Sequence, residues 1–151
     1  MSRHEATISW RSDGSFASDD YSRRHQWRFD GGAVVTASAS PDVVPVPRSD
    51  PAGVDPEEAL VASAASCHML WFLSLARAAG LVVDSYEDEA AGEMGRIAPG
   101  RMAITRITLR PAIRFAGSPP DADTLNRLHH EAHDRCFIAN TLNCEIAVEP
   151  R

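Results

Sequence analysis

Apolar positions along the 151-residue chain recur with two periods, and the longest helical run lies in residues 55–80, DPEEALVASAASCHMLWFLSLARAAG. Asp55 is placed to cap its start, Pro56 takes the first helical position, and Glu58 stands three residues after the cap, as in a capping box. Gly80 supplies a left-handed stop. Good helix formers, mostly apolar, fill the interval and predict a long helix with much of its surface buried. One thiol, Cys67, sits in its middle. On packing grounds alone it is a small core hydrophobe.

Elsewhere the period is two. Residues 5–11 read as a first strand, residues 12–15 as a turn, and residues 16–20 as the start of a returning strand. Residues 23–30 alternate, with His25, Trp27 and Phe29 on one face and Arg24, Gln26 and Arg28 on the other. Asp30, Gly31 and Gly32 close that strand. Residues 31–56 are proline-rich and irregular, with a short strand at residues 33–37, and the run VVPVP excludes a central strand. An irregular stretch of this length suggests a functional cover or a mobile segment.

Past the helix, residues 81–93 predict an acidic strand and residues 94–101 a turn region marked by Gly95, Pro99 and Gly100. Ile107, Leu109, Ile113 and Phe115 then alternate with Thr108, Arg110, Ala112 and Arg114, and Pro111 predicts a bulge or an edge position. Pro119 and Pro120 announce a second helix, capped by Asp121 or Asp123. Its buried stripe is Leu125, Leu128, Ala132, Cys136 and Ala139. Cys144, Ile146 and Val148 mark a closing strand. The order predicts one α+β domain over residues 1–151, with helices packed on antiparallel sheet. Its parts are the strands and proline-rich loop of residues 1–54, the central helix at 55–80, and residues 81–151.

Composition narrows the function. A net charge of −6 argues against nucleic acid as partner. The first residues lack the apolar run of a secretory leader, and the apolar segment 69–83, broken by Arg77 and Gly80, is short for a membrane span. A cytoplasmic protein without a membrane partner is expected. Three cysteines, an odd number in a reducing compartment, point to thiol chemistry or packing rather than a disulfide framework.

Packed together, the two helices could bring Cys67 and Cys136 near one another as an attacking and a resolving thiol. A reactive thiolate needs a nearby cation; Arg28 is best placed by pattern, with Arg23 and Arg24 as rivals. Such an arginine needs a carboxylate to hold its fork, and Glu57 and Glu58 are available at the helix start. Glu57 lies ten positions before Cys67, about 15 Å along a straight helix, so a shared site requires a bridging arginine or a second subunit. The run of His129, His130, Glu131 and His133 does not match the H-E-x-x-H zinc pattern and reads as a solvated face. His129, His133 and Cys136 nonetheless share a face, which leaves a structural zinc site as a rival.

Asp55-Pro56-Glu57-Glu58-Ala59-Leu60, followed by Ala65-Ser66-Cys67, resembles the N-P-E-E-L…A-A-C signature of the family of osmotically inducible protein C and organic hydroperoxide resistance proteins. Residues 135–140, RCFIAN, resemble its second-cysteine segment, and residues 27–31, WRFDG, its arginine-bearing strand. The resemblance implies an intertwined α+β homodimer with its site at the subunit interface. It implies a thiol peroxidase in which Cys67 attacks an organic hydroperoxide, Cys136 resolves the sulfenic acid as a disulfide, Arg28 stabilises the thiolate and Glu57 orients Arg28, with Glu58 beside it. Leu70, Trp71 and Phe137 would favour a substrate with an apolar tail. An external dithiol, of lipoyl type in some members, would restore the thiols, and no metal or nucleotide is implied. Asp55, His68 and Phe137 depart from the residues usual at their positions. The alternative is a non-catalytic dimer that binds a small apolar ligand in the same pocket.

Overall fold

The computed structural model describes all 151 residues, in two compact units, Met1–Ala59 and Leu60–Arg151. In the first unit, β1 (Ala6–Ser9), β2 (His25–Phe29) and β3 (Val34–Ala37) form an antiparallel sheet in that order. Thr7 faces Arg28, and Gln26 lies between Ser9 and Thr36. The expected strand at residues 16–20 is instead a 3₁₀ turn, Phe16–Ser18. It sets the Phe16 ring 5.7 Å from Trp10 and 4.9 Å from Tyr21, so ring packing overrides alternation there. The proline-rich stretch is tied to the sheet edge by a parallel bridge between Ala37 and Val54. Backbone bonds run from Ser38 N–H to Val54 O and from Val54 N–H to Thr36 O, each 3.0 Å.

Helix α1 (Pro56–Ala78) begins and ends as its sequence predicts. Asp55 Oδ1 accepts the Glu58 N–H at 2.7 Å, and Glu58 Oε2 accepts the Asp55 N–H at 3.2 Å. This reciprocal pair satisfies two of the amides that a helix start leaves unpaired. At the far end Gly80 adopts φ +77°, and the Gly80 and Leu81 amides return to the carbonyls of Arg77 and Ala76. By length and composition alone α1 is apolar enough to cross a membrane, a property that the core helix of a soluble protein shares. Here Ala64, His68, Phe72 and Ala76 form a buried stripe along it.

The second unit contains two further sheets. β4 (Val83–Asp88) pairs antiparallel with β7 (Pro111–Phe115). β5 (Ala91–Ala98) and β6 (Arg101–Leu109) form an antiparallel hairpin, and β8 (Glu145–Val148) lies parallel to β6. The fold is α+β and mainly antiparallel, with one parallel edge. Pro111 makes no bulge but takes the expected edge position: it opens β7, an edge strand of a two-stranded sheet, and marks where the chain leaves one sheet for another.

The turn expected at residues 94–101 shrinks to Pro99 and Gly100, because β5 continues through Gly95. A glycine inside a strand usually weakens it, but here it gives room. A Cβ on Gly95 would stand 2.8 Å from Thr105, and one on Gly92 would stand 2.6 Å from Val61 Cγ2.

α2 (Ala122–Arg135) starts at Asp121, whose Oδ1 accepts the Thr124 N–H at 2.7 Å, and α3 (Phe137–Thr141) follows. Two clusters fill this unit. Phe72, Ala76, Leu128 and Ala132 are buried between α1 and α2, with Tyr86, Ile113 and Phe115 packed against them. Ala64, Ile107 and Leu109 form the other, ringed by Val61, Ile104, Cys144, Ile146 and Val148.

Gly92→Ala should lower stability by about 1–3 kcal/mol, because Val61 Cγ2 at 2.6 Å and Ile104 Cδ1 at 3.3 Å leave no space for the methyl. Urea titration checks this, with an unchanged midpoint as the contrary result.

Candidate functional site

The buried stripe of α1 fixes where its thiol faces. With Ala64, His68, Phe72 and Ala76 turned inward, Cys67, Leu70, Trp71 and Ser74 line an open cleft of about 310 Å³, together with Phe137. Leu70 and Phe137 remain 62% and 69% exposed, so two apolar walls of the cleft are accessible. Trp71 and Phe137 meet edge to face at 5.7 Å and 83°. The Arg135 guanidinium stands 5.7 Å above the Trp71 ring and pairs with Glu131 at 2.5 Å.

Cys136 was expected within one continuous helix. Instead the helix breaks at it: Cys136 adopts φ −68° and ψ 111°, closes α2 and caps α3. Its N–H donates to His133 O at 3.1 Å, and its Sγ accepts the Ala139 N–H at 3.4 Å. Asn140 Nδ2 donates to Asp134 O at 3.0 Å and satisfies a carbonyl that the break exposes. The break sets the Cys136 thiol beside that of Cys67. Both are free thiols, with Cys136 only 1% exposed and Cys67 half-buried. Burial, and then the neighbouring Cys67 thiol, push the Cys136 thiol up to about 11, so it keeps its proton at neutral pH.

The remaining expected residues fall in the first unit. Arg28 projects from β2, where Nη2 reaches Ser9 Oγ at 3.4 Å. With Arg11, Arg24, Gln26 and Thr36 it lines a polar groove of about 700 Å³. It pairs with no carboxylate, Glu57 included, whereas Arg23 and Arg24 pair with Asp19 and Asp50 at 3.4 and 3.3 Å. Glu57 is half-buried, and the Glu58 carboxylate is engaged in the capping box.

His129 corrects the expectation of a solvated histidine face. It is 4% exposed, and its Nδ1 lies 3.1 Å from Nε2 of His68, itself 1% exposed. The rings lie 7° from parallel, and Phe72 packs 4.5 Å from His129. His68 Nδ1 and His129 Nε2 have no partner. Whichever tautomers the rings adopt, a neutral pair that shares one proton leaves one donor and one acceptor unpaired. Burial pushes both imidazoles down to about 4; for His68 the charges of His129 and then His133 add to it. Both positions were legible in principle. His68 is in phase with Ala64 and Phe72, and His129 follows Leu128 on the stripe completed by Ala132. No three His, Cys, Asp or Glu side chains are grouped to hold a metal, and His129, His133 and Cys136 do not form such a set.

The model of the OsmC-like protein family matches residues 49–151. An OsmC-like protein of unknown function from Vibrio cholerae is 47% identical, with 100% of both chains covered and a TM-score of 0.97. Organic hydroperoxide resistance proteins from Bacillus subtilis and Elizabethkingia anophelis share the fold at 17% and 16% identity, with TM-scores of 0.71 and 0.74. Each comparison covers 99% of this chain, and 98% and 96% of the other. No curated protein matches.

The imidazole pair carries a pH signature. Because both rings titrate near 4 when folded and near 6.5 when free, the unfolded chain takes up protons first as the pH falls. Stability should therefore be level above pH 6.5 and fall as the pH drops to about 4, by a total on the order of a few kcal/mol. Urea midpoints measured across this range check it, and His129→Asn should flatten the fall.

Proposed function

The chain belongs to the OsmC-like protein family, and from that premise we propose that it is a cysteine-based peroxidase that reduces organic hydroperoxides in the cytoplasm. The observation that carries the reading is the contact between two free thiols, one opening on an apolar cleft and the other buried and protonated. The Cys67 thiolate attacks the terminal oxygen of the hydroperoxide. The O–O bond breaks, the alcohol leaves with a proton, and Cys67 becomes a sulfenic acid. Cys136 then attacks the sulfenic sulfur. An S–S bond forms, the S–O bond breaks, and the departing hydroxide takes the Cys136 proton to become water. An external dithiol, of lipoyl type, reduces the disulfide and is itself oxidised to one.

Leu70, Trp71 and Phe137 receive the apolar part of the substrate, and desolvating that tail favours an organic peroxide over hydrogen peroxide. In this reading Arg28, oriented by Glu57 beside Glu58, supplies the cation for the Cys67 thiolate. A second copy of the chain completes the site as a homodimer. The most apolar window of α1 supports that assembly, because only 28% of it is buried within one chain.

Consumption of cumene hydroperoxide with dihydrolipoamide tests the reading. The wild type should consume it faster than hydrogen peroxide, and Cys67→Ser should remove the activity. A rate no higher than that of Cys67→Ser would overturn the peroxidase and leave an apolar-ligand binder. In Cys136→Ser the sulfenic acid on Cys67 should persist long enough for dimedone to label it, and mass spectrometry should find no such adduct in the cycling wild type.

A further inference from the structure

The seam between α1 and α2 is apolar along its length except at one point. Phe72 and Ala76 meet Leu128 and Ala132 through apolar contacts, which are less directional than a hydrogen bond. His68 and His129 interrupt the seam with one bond between defined atoms, Nε2 of His68 and Nδ1 of His129, 3.1 Å apart. Each ring spends its one paired nitrogen on the other, deep in the unit. His68 directly follows Cys67 in α1, and His129 lies seven residues before Cys136, about two helical turns. Two buried imidazoles, each with a nitrogen unpaired, are a poor source of stability compared with an apolar pair. What they supply is position.

We propose that the His68–His129 bond is a positioning device that sets the register of α1 on α2 at which the Cys67 and Cys136 sulfurs meet. Both histidines act through the helices that carry the thiols. A slip of one residue along either helix is a displacement of about 1.5 Å, well beyond what a hydrogen bond tolerates. The bond therefore holds the helices to the register that the thiol contact also requires. The inference rests on reading the thiols as a redox couple, but its measurement needs no peroxide.

The test is equilibration of the full-length protein with oxidised and reduced glutathione. The two protein thiols give two electrons and two protons to one glutathione disulfide, yielding one protein disulfide and two glutathione thiols. The equilibrium constant reports the effective concentration of Cys67 and Cys136 for each other. His68→Leu and His129→Leu should lower it by about tenfold or more. His68→Gln and His129→Asn, whose amides place a polar atom near the bonding nitrogen, should stay within about threefold of the wild type. Leucine variants that melt earlier yet keep the wild-type effective concentration would show a packing role only and overturn the proposal. Where a leucine variant does not fold, the amide variants decide: retention supports the proposal, and a loss of about tenfold overturns it. Failure of the wild type to consume hydroperoxide would overturn the peroxidase reading and leave this equilibrium as readable as before.

Discussion

The arrangement of residues 60–151 depends on the burial of one helical stripe, Ala64, His68, Phe72 and Ala76 of α1. Side chains on a helix advance by about a hundred degrees per residue, so committing this stripe to the interior commits the adjacent face as well. Cys67, Leu70, Trp71 and Ser74 have no freedom to point elsewhere while Phe72 stays between the helices. Complete burial of a phenylalanine side chain is worth about 1.5–3 kcal/mol, enough to hold that rotation. The packing thus fixes which face of α1 the Cys67 thiol occupies.

The two thiols in contact have opposite surroundings. Cys67 meets the cleft, whereas Cys136 is sealed at the junction of α2 and α3, with its sulfur already accepting the Ala139 amide. Desolvation disfavours the charged form of the buried sulfur, which separates the pair into an accessible sulfur and one that retains its proton. Chemically similar groups thus differ in access through environment alone.

Local signals explain what was legible in the sequence. The caps of α1 are local chemistry, and Asp55, Glu58 and Gly80 form the bonds that their spacing predicts. The strands of the first unit and the pairing of helices with mainly antiparallel sheet follow from alternation. Non-local constraints were missed. Gly95 looks like a turn residue until Thr105 is seen against it, and Pro111 looks like a bulge until β7 is seen in a different sheet from β6. Alternation states which face a residue takes but not the direction of its partner strand, so the parallel pairing of β6 with β8 left no mark. His129 was misread because the polar residues around it set the tone, although its helical phase matches the buried side. The thiol pair was recognised from two short motifs and the stripe through Cys136, but the break that lets the sulfurs touch depends on Asn140 and Ala139 meeting groups that no local pattern identifies.

The parallel edge has a kinetic consequence. The β5–β6 hairpin closes over Pro99 and Gly100, so its pairing costs little loop entropy. The β6–β8 pair, anchored by Arg106 Nη1 to Glu145 Oε1 at 3.0 Å, joins residues 39 apart in sequence. Long-range parallel pairing of this kind is intrinsically slow. Both α2 and α3 lie inside that loop, and Cys136 lies between them. Chain connectivity therefore places the β6–β8 edge after the hairpin in the order of assembly, whereas the bonds from Cys136 to His133 and Ala139 span three residues and need no such closure.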